Sequence, residues 1–208
     1  KLGLLICEDM WFNSLPLYLK KNGANIFICI NASPYETGKF AQRKEIAYKL
    51  VQKTKVPLLY LNQVGGQDEL VFDGNSFLMD LKGNLSEKCY AWKEDYKLIK
   101  FPEHISNKNY KNNNLEDLPE FNTWSALTLG LRDYFLKNSF YKIVLGLSGG
   151  IDSAVSAAIA VDAVGSKNVI GILMPSKYSS KGSIIDAKKT AKLLKIKTNI
   201  FKIEDIHK

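Results

Sequence analysis

Six consecutive residues, Ser148-Gly149-Gly150-Ile151-Asp152-Ser153, concentrate much of the chemistry that this sequence offers. Ser148 and Ser153 bring hydroxyls, Asp152 a carboxylate, and the two glycines a backbone that no side chain shields. Before them, Ile143-Val144-Leu145 with Leu147 reads as a short buried strand; from Ile151 onward, Ala, Val and Ile without turn residues read as a helix. Strand, glycine turn and helix make an anion cradle. Glycine N–H groups can approach an oxyanion closely, and the first helical turn aims unpaired N–H donors and a partial positive charge at the same point. The segment Gly146, Leu147, Ser148, Gly149, Gly150, Ile151, Asp152, Ser153 is therefore the candidate phosphate site. A carboxylate beside phosphates is favourable only with a cation between them, so Asp152 reads as a Mg²⁺ ligand. No lysine stands where G-x-x-x-x-G-K-[ST] requires one, which excludes the common P-loop. Glycines placed for steric reasons alone are the plain alternative.

A second reactive candidate is Cys7, set where the apolar run Leu2–Ile6 gives way to Glu8 and Asp9. Cysteine beside an apolar run is commonly inert packing, so its position alone leaves a structural role open.

These residues need elements to position them. From Leu2 to Phe101 the pattern predicts strands at Leu2–Cys7, Ile26–Asn31, Leu58–Asn62, Glu69–Phe72, Asn75–Asp80, Ser86–Ala91 and Tyr96–Phe101. Helices are expected at Ser14–Asn22, stopped by Gly23, and at Lys39–Thr54, which carries Ile46, Ala47, Leu50 and Val51 at helical spacing before Pro57. Asp80-Leu81-Lys82-Gly83-Asn84 is a hairpin turn signal. Pro102–Pro119, rich in Asn and Lys and poor in apolar residues, reads as a linker. Beyond it come a helix at Phe121–Lys137, the strand and loop above, a helix at Ile151–Val164, a strand at Val169–Met174, a helix at Ser183–Lys195 and a strand at Thr198–Ile203. That βαβαβ order predicts a parallel sheet wound on both faces, with ligand at the carboxyl ends of its strands. The expected organisation is a first domain over 1–101, a linker over 102–119 and a second domain over 120–208.

Composition narrows the class. With 208 residues, 46% of them hydrophobic, the chain can build two small cores. Cys7, Cys29 and Cys89 show no C-x-x-C spacing, which argues against zinc and a disulfide scaffold and fits a reducing cytoplasm. No targeting segment or membrane-length apolar run is present, so no membrane partner is expected. The net charge is +8, with 14 basic against 12 acidic residues up to Ile105 and 15 against 9 beyond it. Much of the excess is Lys188, Lys189, Lys192 and Lys195 on one face of a helix, without interleaved aromatics or arginines; this reads as solvation, not nucleic-acid binding. The chain opens on a strand without an initiating Met, which suggests that residues once preceded it.

SGGIDS resembles the signature of the N-type ATP pyrophosphatases, which cleave ATP between its α and β phosphates and adenylate a carbonyl oxygen. ICEDMWF, INASPYETGK and YLNQVGGQDELVFDGNSF resemble the carboxy-terminal half of the glutaminase domain of glutamine-dependent NAD synthetases, a branch of the nitrilase (carbon–nitrogen hydrolase) superfamily. With SGGIDSA and MPSKYSS downstream, the order of both motif sets is similar to that of the bacterial two-domain members. The resemblance implies an α/β fold: the carboxy-terminal part of an αββα nitrilase sandwich, then the start of a doubly wound, Rossmann-like parallel-sheet domain of the adenine nucleotide alpha hydrolase kind.

The same resemblance implies a cytoplasmic ligase acting on deamido-NAD, ATP and glutamine, with Mg²⁺ at Asp152 and homo-oligomers at full length. Cys7 would be the thiol nucleophile on the glutamine amide, with Ser33 and Lys39 as glutamine-binding positions. Lys39 stands where relatives carry arginine, an exchange that keeps charge and loses the bidentate fork. The family's catalytic Glu and Lys lie well before its cysteine, outside this chain, and Glu8 and Asp9 would point away along a strand. The synthetase part stops at Ile206-His207-Lys208, short of the family's remaining substrate and metal contacts. The expectation is an internal fragment, inactive by itself. Beside it stand a truncated or decayed gene product with at most weak nucleotide binding, and another ATP pyrophosphatase amidotransferase, since SGG-x-DS is shared among them.

Overall fold

The computed structural model describes residues 1–101, 118–175, 180–201 and 203, which fall into two compact units, Lys1–Ala126 and Leu127–Lys208. The first runs β1 (Leu2–Ile6), a 3-10 turn (Cys7–Trp11), α1 (Ser14–Lys21), β2 (Ile26–Asn31), α2 (Lys39–Thr54), β3 (Leu58–Asn62), β4 (Val64–Gln67), β5 (Leu70–Asp73), β6 (Phe77–Met79) and β7 (Leu85–Lys88). Its sheet has the order β1-β2-β3-β6-β7, with β1, β2 and β3 parallel and β6 and β7 antiparallel. Alternation along the strands decides what is buried. Leu5, Phe27, Cys29, Leu58 and Tyr60 meet Leu15 and Leu19 of α1 and Ala47, Leu50 and Val51 of α2 in one core. Each large apolar side chain sealed there contributes about 1.5–3 kcal/mol.

The intervening residues form an aliphatic opposite face. Leu2, Leu4, Ile6, Ile30 and Leu61 are exposed, Leu4 by 61% and Ile6 by 69%. Helices on one face and bare aliphatics on the other make one αβ half of an αββα sandwich, in line with the expected fold class.

Three expectations need correction in this unit. Tyr96–Phe101 forms no strand: Asp95, Tyr96, Lys97 and Ile99 line a cavity of about 380 Å³ together with Leu59, Leu61 and Leu78, and Lys97 pairs with Glu87 at 3.4 Å. Side chains, not a backbone ladder, hold that segment. β4, with its two glycines, gives little strand signal, yet it forms because its register against β5 is closed by a tight turn with Asp68 at φ 51°. The first strand ends at Ile6, so Glu8 and Asp9 lie on the 3-10 turn and not along a strand; Asp9 folds back to accept the Ile6 N–H at 2.8 Å. The Asp80–Asn84 hairpin stands as expected, with Asp80 Oδ1 accepting from the N–H groups of Lys82 and Asn84 at 2.8 Å each.

The expected linker lies outside the described residues except for Leu118 and Pro119, and Pro119 already opens α3 (Pro119–Lys137). The two units divide within this helix. Its first turns stay with the first unit, where the Trp92 indole N–H donates to Asn122 Oδ1 at 2.9 Å.

The second unit continues as β8 (Ile143–Gly146), α4 (Ile151–Val164), a 3-10 turn (Ser166–Asn168), β9 (Val169–Leu173), α5 (Lys181–Leu193) and β10 (Lys197–Ile200). Its three strands are parallel in the order β10-β9-β8. Ala157 and Ala160 of α4, Ala187 and Ala191 of α5, and Val169 and Leu173 of β9 share one core; small residues on the helices let them seat closely on the sheet. β8 is not the buried strand expected: as an edge strand it is half-buried at Ile143 and Leu145, and Val144 on its other face is 60% exposed.

Candidate functional site

In the second unit, the carboxyl ends of β8 and β9 open onto a cavity of about 460 Å³ lined by Gly146, Leu147, Ser148, Met174, Pro175 and Ser183, among others. Its size falls in the range of small-molecule sites, and the carboxyl edge of a parallel sheet is where such sites form. The loop is shaped by its glycines and serines. Gly149 takes φ +86°, and a Cβ there would meet the Ser183 carbonyl carbon at 2.8 Å and its oxygen closer still, so only glycine fits. Gly150 caps α4 in extended conformation, and its N–H donates to Ser148 Oγ at 3.2 Å. Ser153 Oγ accepts from the Ser148 N–H at 3.3 Å, donates to the Gly150 carbonyl at 3.0 Å and lies 3.1 Å from Ser148 Oγ. Both serine hydroxyls thus organise the turn from within. Asp152 stands exposed on the first turn of α4. Among the described residues no group of three or more His, Cys, Asp or Glu side chains gathers as a metal site. Of MPSKYSS, residues 176–179 lie outside the described residues, while Ser180 caps α5 by accepting from the Ser183 N–H at 3.0 Å.

In the first unit, β1, β2 and β3 are parallel, so the residues that follow them share one edge. Cys7 follows β1, Ser33 follows β2 and Asn62 ends β3. Cys7 is exposed and takes φ 51°, a left-handed conformation uncommon outside glycine. Such strain at a strand-to-helix elbow persists only where the surroundings over-determine it, and it lifts the side chain off the strand line. Beneath it, Cys29 is fully buried and points its thiol at the Cys7 carbonyl, 3.6 Å away. Burial pushes the Cys29 thiol up to about 11, against a weaker pull from its Asn31 hydrogen bond. The two thiols therefore differ in reach, Cys7 exposed and Cys29 buried. Iodoacetamide at mildly alkaline pH is expected to label Cys7 and leave Cys29 intact in the folded chain, as read by peptide mass spectrometry; equal labelling rates would show that Cys29 is open.

Ser33 and Lys39 come to this same edge. The Ser33 N–H donates to Asn62 Oδ1 at 2.9 Å, and Asn62 Nδ2 donates to the Ser33 carbonyl at 3.1 Å. Ser33 Oγ accepts from Arg43 Nε at 3.1 Å. Burial pushes the Tyr60 phenol up to about 12, while the nearby Arg43 charge pulls it down. Lys39 opens α2, pairs with Glu36 at 3.2 Å and reaches 5.8 Å from the Trp11 ring centroid, which sets its amine near the Cys7 turn. Arg43, Asn62 and Asp73 escaped the sequence reading. For Arg43 a signal existed, since it stands four residues before the buried Ala47 on the inward stripe of α2.

Comparison with known proteins covers both sites. Residues 1–101 match the carbon-nitrogen hydrolase family, and residues 123–208 match the NAD synthase family. The glutamine-dependent NAD(+) synthetase of Synechocystis sp. is 41% identical over 99% of this chain and 39% of its own length. That of Acinetobacter baylyi is 38% identical over 100% and 38%. The solved glutamine-dependent NAD+ synthetase of Acinetobacter baumannii, in complex with ADP, superposes with a TM-score of 0.88 at 33% identity, over 99% of this chain and 39% of that one. The chain thus spans about two fifths of the length of these relatives. A carbon-nitrogen hydrolase segment is thus followed in order by an NAD synthase segment, and across both the chain is similar to the glutamine-dependent NAD(+) synthetases.

Proposed function

We propose that the polypeptide carrying this chain makes NAD(+) from deamido-NAD, with ATP as the co-substrate and glutamine as the nitrogen source. The observation that carries this reading is the presence, in one chain and in the family's order, of the Cys7 elbow and the Gly149 loop, with similarity to the relatives running across both. Gly146 through Ser153 would hold the phosphates of ATP, with the glycine and first-turn N–H groups aimed at the oxyanions. The nicotinate carboxylate of deamido-NAD attacks the α-phosphorus, pyrophosphate leaves, and ammonia then displaces AMP from the acyl adenylate. A Mg²⁺ ion fits one exposed carboxylate only if the nucleotide's own oxygens complete its shell, so Asp152 would share the ion with ATP, where it offsets the charge of the departing pyrophosphate.

At the other site Cys7 would attack the glutamine amide, form a thioester and release ammonia; water then frees glutamate. Ser33 and Lys39 would grip the amino-acid head. Beside Cys7, one oxygen of the Asp9 carboxylate accepts the Ile6 N–H at 2.8 Å, and Cys29 is a buried thiol. The 208 residues, about two fifths of the relatives' length, are expected by themselves to make no NAD. The domain limits proposed are 1–101, 102–119 and 120–208, with full-length assembly as a homo-oligomer in the cytoplasm.

The test is direct. The polypeptide at its relatives' full length should convert deamido-NAD to NAD(+) with ATP and Mg²⁺, using either glutamine or ammonium, followed by NAD-coupled absorbance. No product with either nitrogen source would sink the reading.

A further inference from the structure

Arg43 is among the most deeply buried side chains described, 2% exposed, on the inward face of α2 four residues beyond Lys39. A guanidinium withdrawn that far from water is unfavourable unless its donors are met. Here they are met in an uneven way. Nη1 donates to both carboxylate oxygens of Asp73, at 2.7 and 3.0 Å, and Asp73 is itself 2% exposed. The remaining bonds all end on two consecutive residues of the irregular loop that follows β2: Nε on Ser33 Oγ at 3.1 Å, and Nη2 on the carbonyls of Ser33 at 2.8 Å and Pro34 at 2.9 Å. Asn75 Nδ2 steadies Asp73 from the other side at 2.7 Å. The fork thus clamps a loop to a fixed anion.

Planarity matters to this job. Two carbonyls and a hydroxyl on one loop are held at once because the guanidinium donors lie in one rigid plane; an ammonium would offer a point charge and let the loop pivot. With Nε directed at the Ser33 oxygen, one of the hydroxyl's two lone pairs is taken and the oxygen is held in place.

We propose that Arg43, anchored by Asp73, is the positioning residue of the glutamine site: it sets the Ser33–Pro34 backbone and the Ser33 hydroxyl for the substrate's amino-acid head without touching the substrate. This rests on the reading of Ser33 as a glutamine contact.

The experiment uses the full-length polypeptide with glutamine and, separately, ammonium as nitrogen source. Arg43→Lys keeps the charge opposite Asp73 and loses the fork, so the KM for glutamine should rise by about tenfold or more, the scale of losing charge-assisted hydrogen bonds. The kcat with glutamine should stay within about twofold, and ammonium-driven synthesis should be unchanged. Arg43→Gln, which keeps amide donors without the charge, should raise KM further. An unchanged glutamine KM in either variant that retains the ammonium rate overturns the proposal. So does loss of ammonium-driven synthesis in both, which would assign Arg43 to the fold at large. An unmodified polypeptide that uses ammonium and not glutamine would overturn the glutamine-site reading itself, and the proposal with it, so the two failures are told apart.

Discussion

Cys7→Ala in the full-length polypeptide is expected to abolish NAD(+) formation from glutamine while leaving formation from ammonium intact. The thiol is the only atom at its site assigned a bond to substrate, so its removal deletes the thioester route entirely. Loss of a covalent nucleophile costs on the order of 10⁴-fold or more in kcat. The fold should tolerate the change. Cys7 is exposed, and the contacts around it, the Asp9 carboxylate on the Ile6 N–H and the Cys29 thiol on the Cys7 carbonyl, are made through backbone groups that Ala keeps. Ammonium supplied from outside bypasses the first site and reports on the second. Two steady-state assays on one preparation therefore decide the matter: equal losses in both would mean that Cys7 is structural, and no loss in either would remove it from the chemistry.

The sequence discloses these two sites unequally. Helix Lys39–Thr54 and helix Ile151–Val164 were legible to the residue, because Gly38 and Pro57 punctuate the first and Gly150 and Gly165 the second. The shape of the Ser148–Ser153 turn was legible too, since everything that forms it lies within six residues, with the exception of the Ser183 carbonyl that makes Gly149 obligatory. The edge that carries Cys7 was not legible in this way. Cys7 closes an apolar run and reads as its last strand residue; that it turns to positive φ depends on Asp9 reaching back and Cys29 supporting it from β2. Arg43 owes its burial to Asp73, thirty residues away, and an inward-facing charge has no local pattern to announce its partner. Tyr96–Phe101 is rich in strand-forming residues, but among the described residues it pairs with no strand. Local periodicity speaks for elements, while sites built by long-range polar contacts need the fold before they can be read.

Asp152→Asn is expected to remove synthesis with either nitrogen source, which separates it from the Cys7 substitution. Both routes need the adenylate, and the adenylate needs the charge on departing pyrophosphate to be met. Asn keeps the shape of the first turn of α4 and loses the carboxylate that would recruit the cation beside the phosphates. Removing one electrostatic contributor of this kind costs about 3–4 kcal/mol, on the order of a hundredfold to a thousandfold in rate. A helix-start Asp also favours its helix through the dipole, by about 0.3–1 kcal/mol, and that smaller effect must be told apart from the larger one. Thermal melting reports the helix, and a Mg²⁺ titration of the ammonium-driven rate reports the ion. The expected pattern is a small change in Tm, a large loss of rate at ordinary Mg²⁺, and partial recovery at high Mg²⁺, because weakened binding yields to mass action. Near-normal rates at ordinary Mg²⁺ with a lowered Tm would make Asp152 a helix-start residue and empty the proposed metal position.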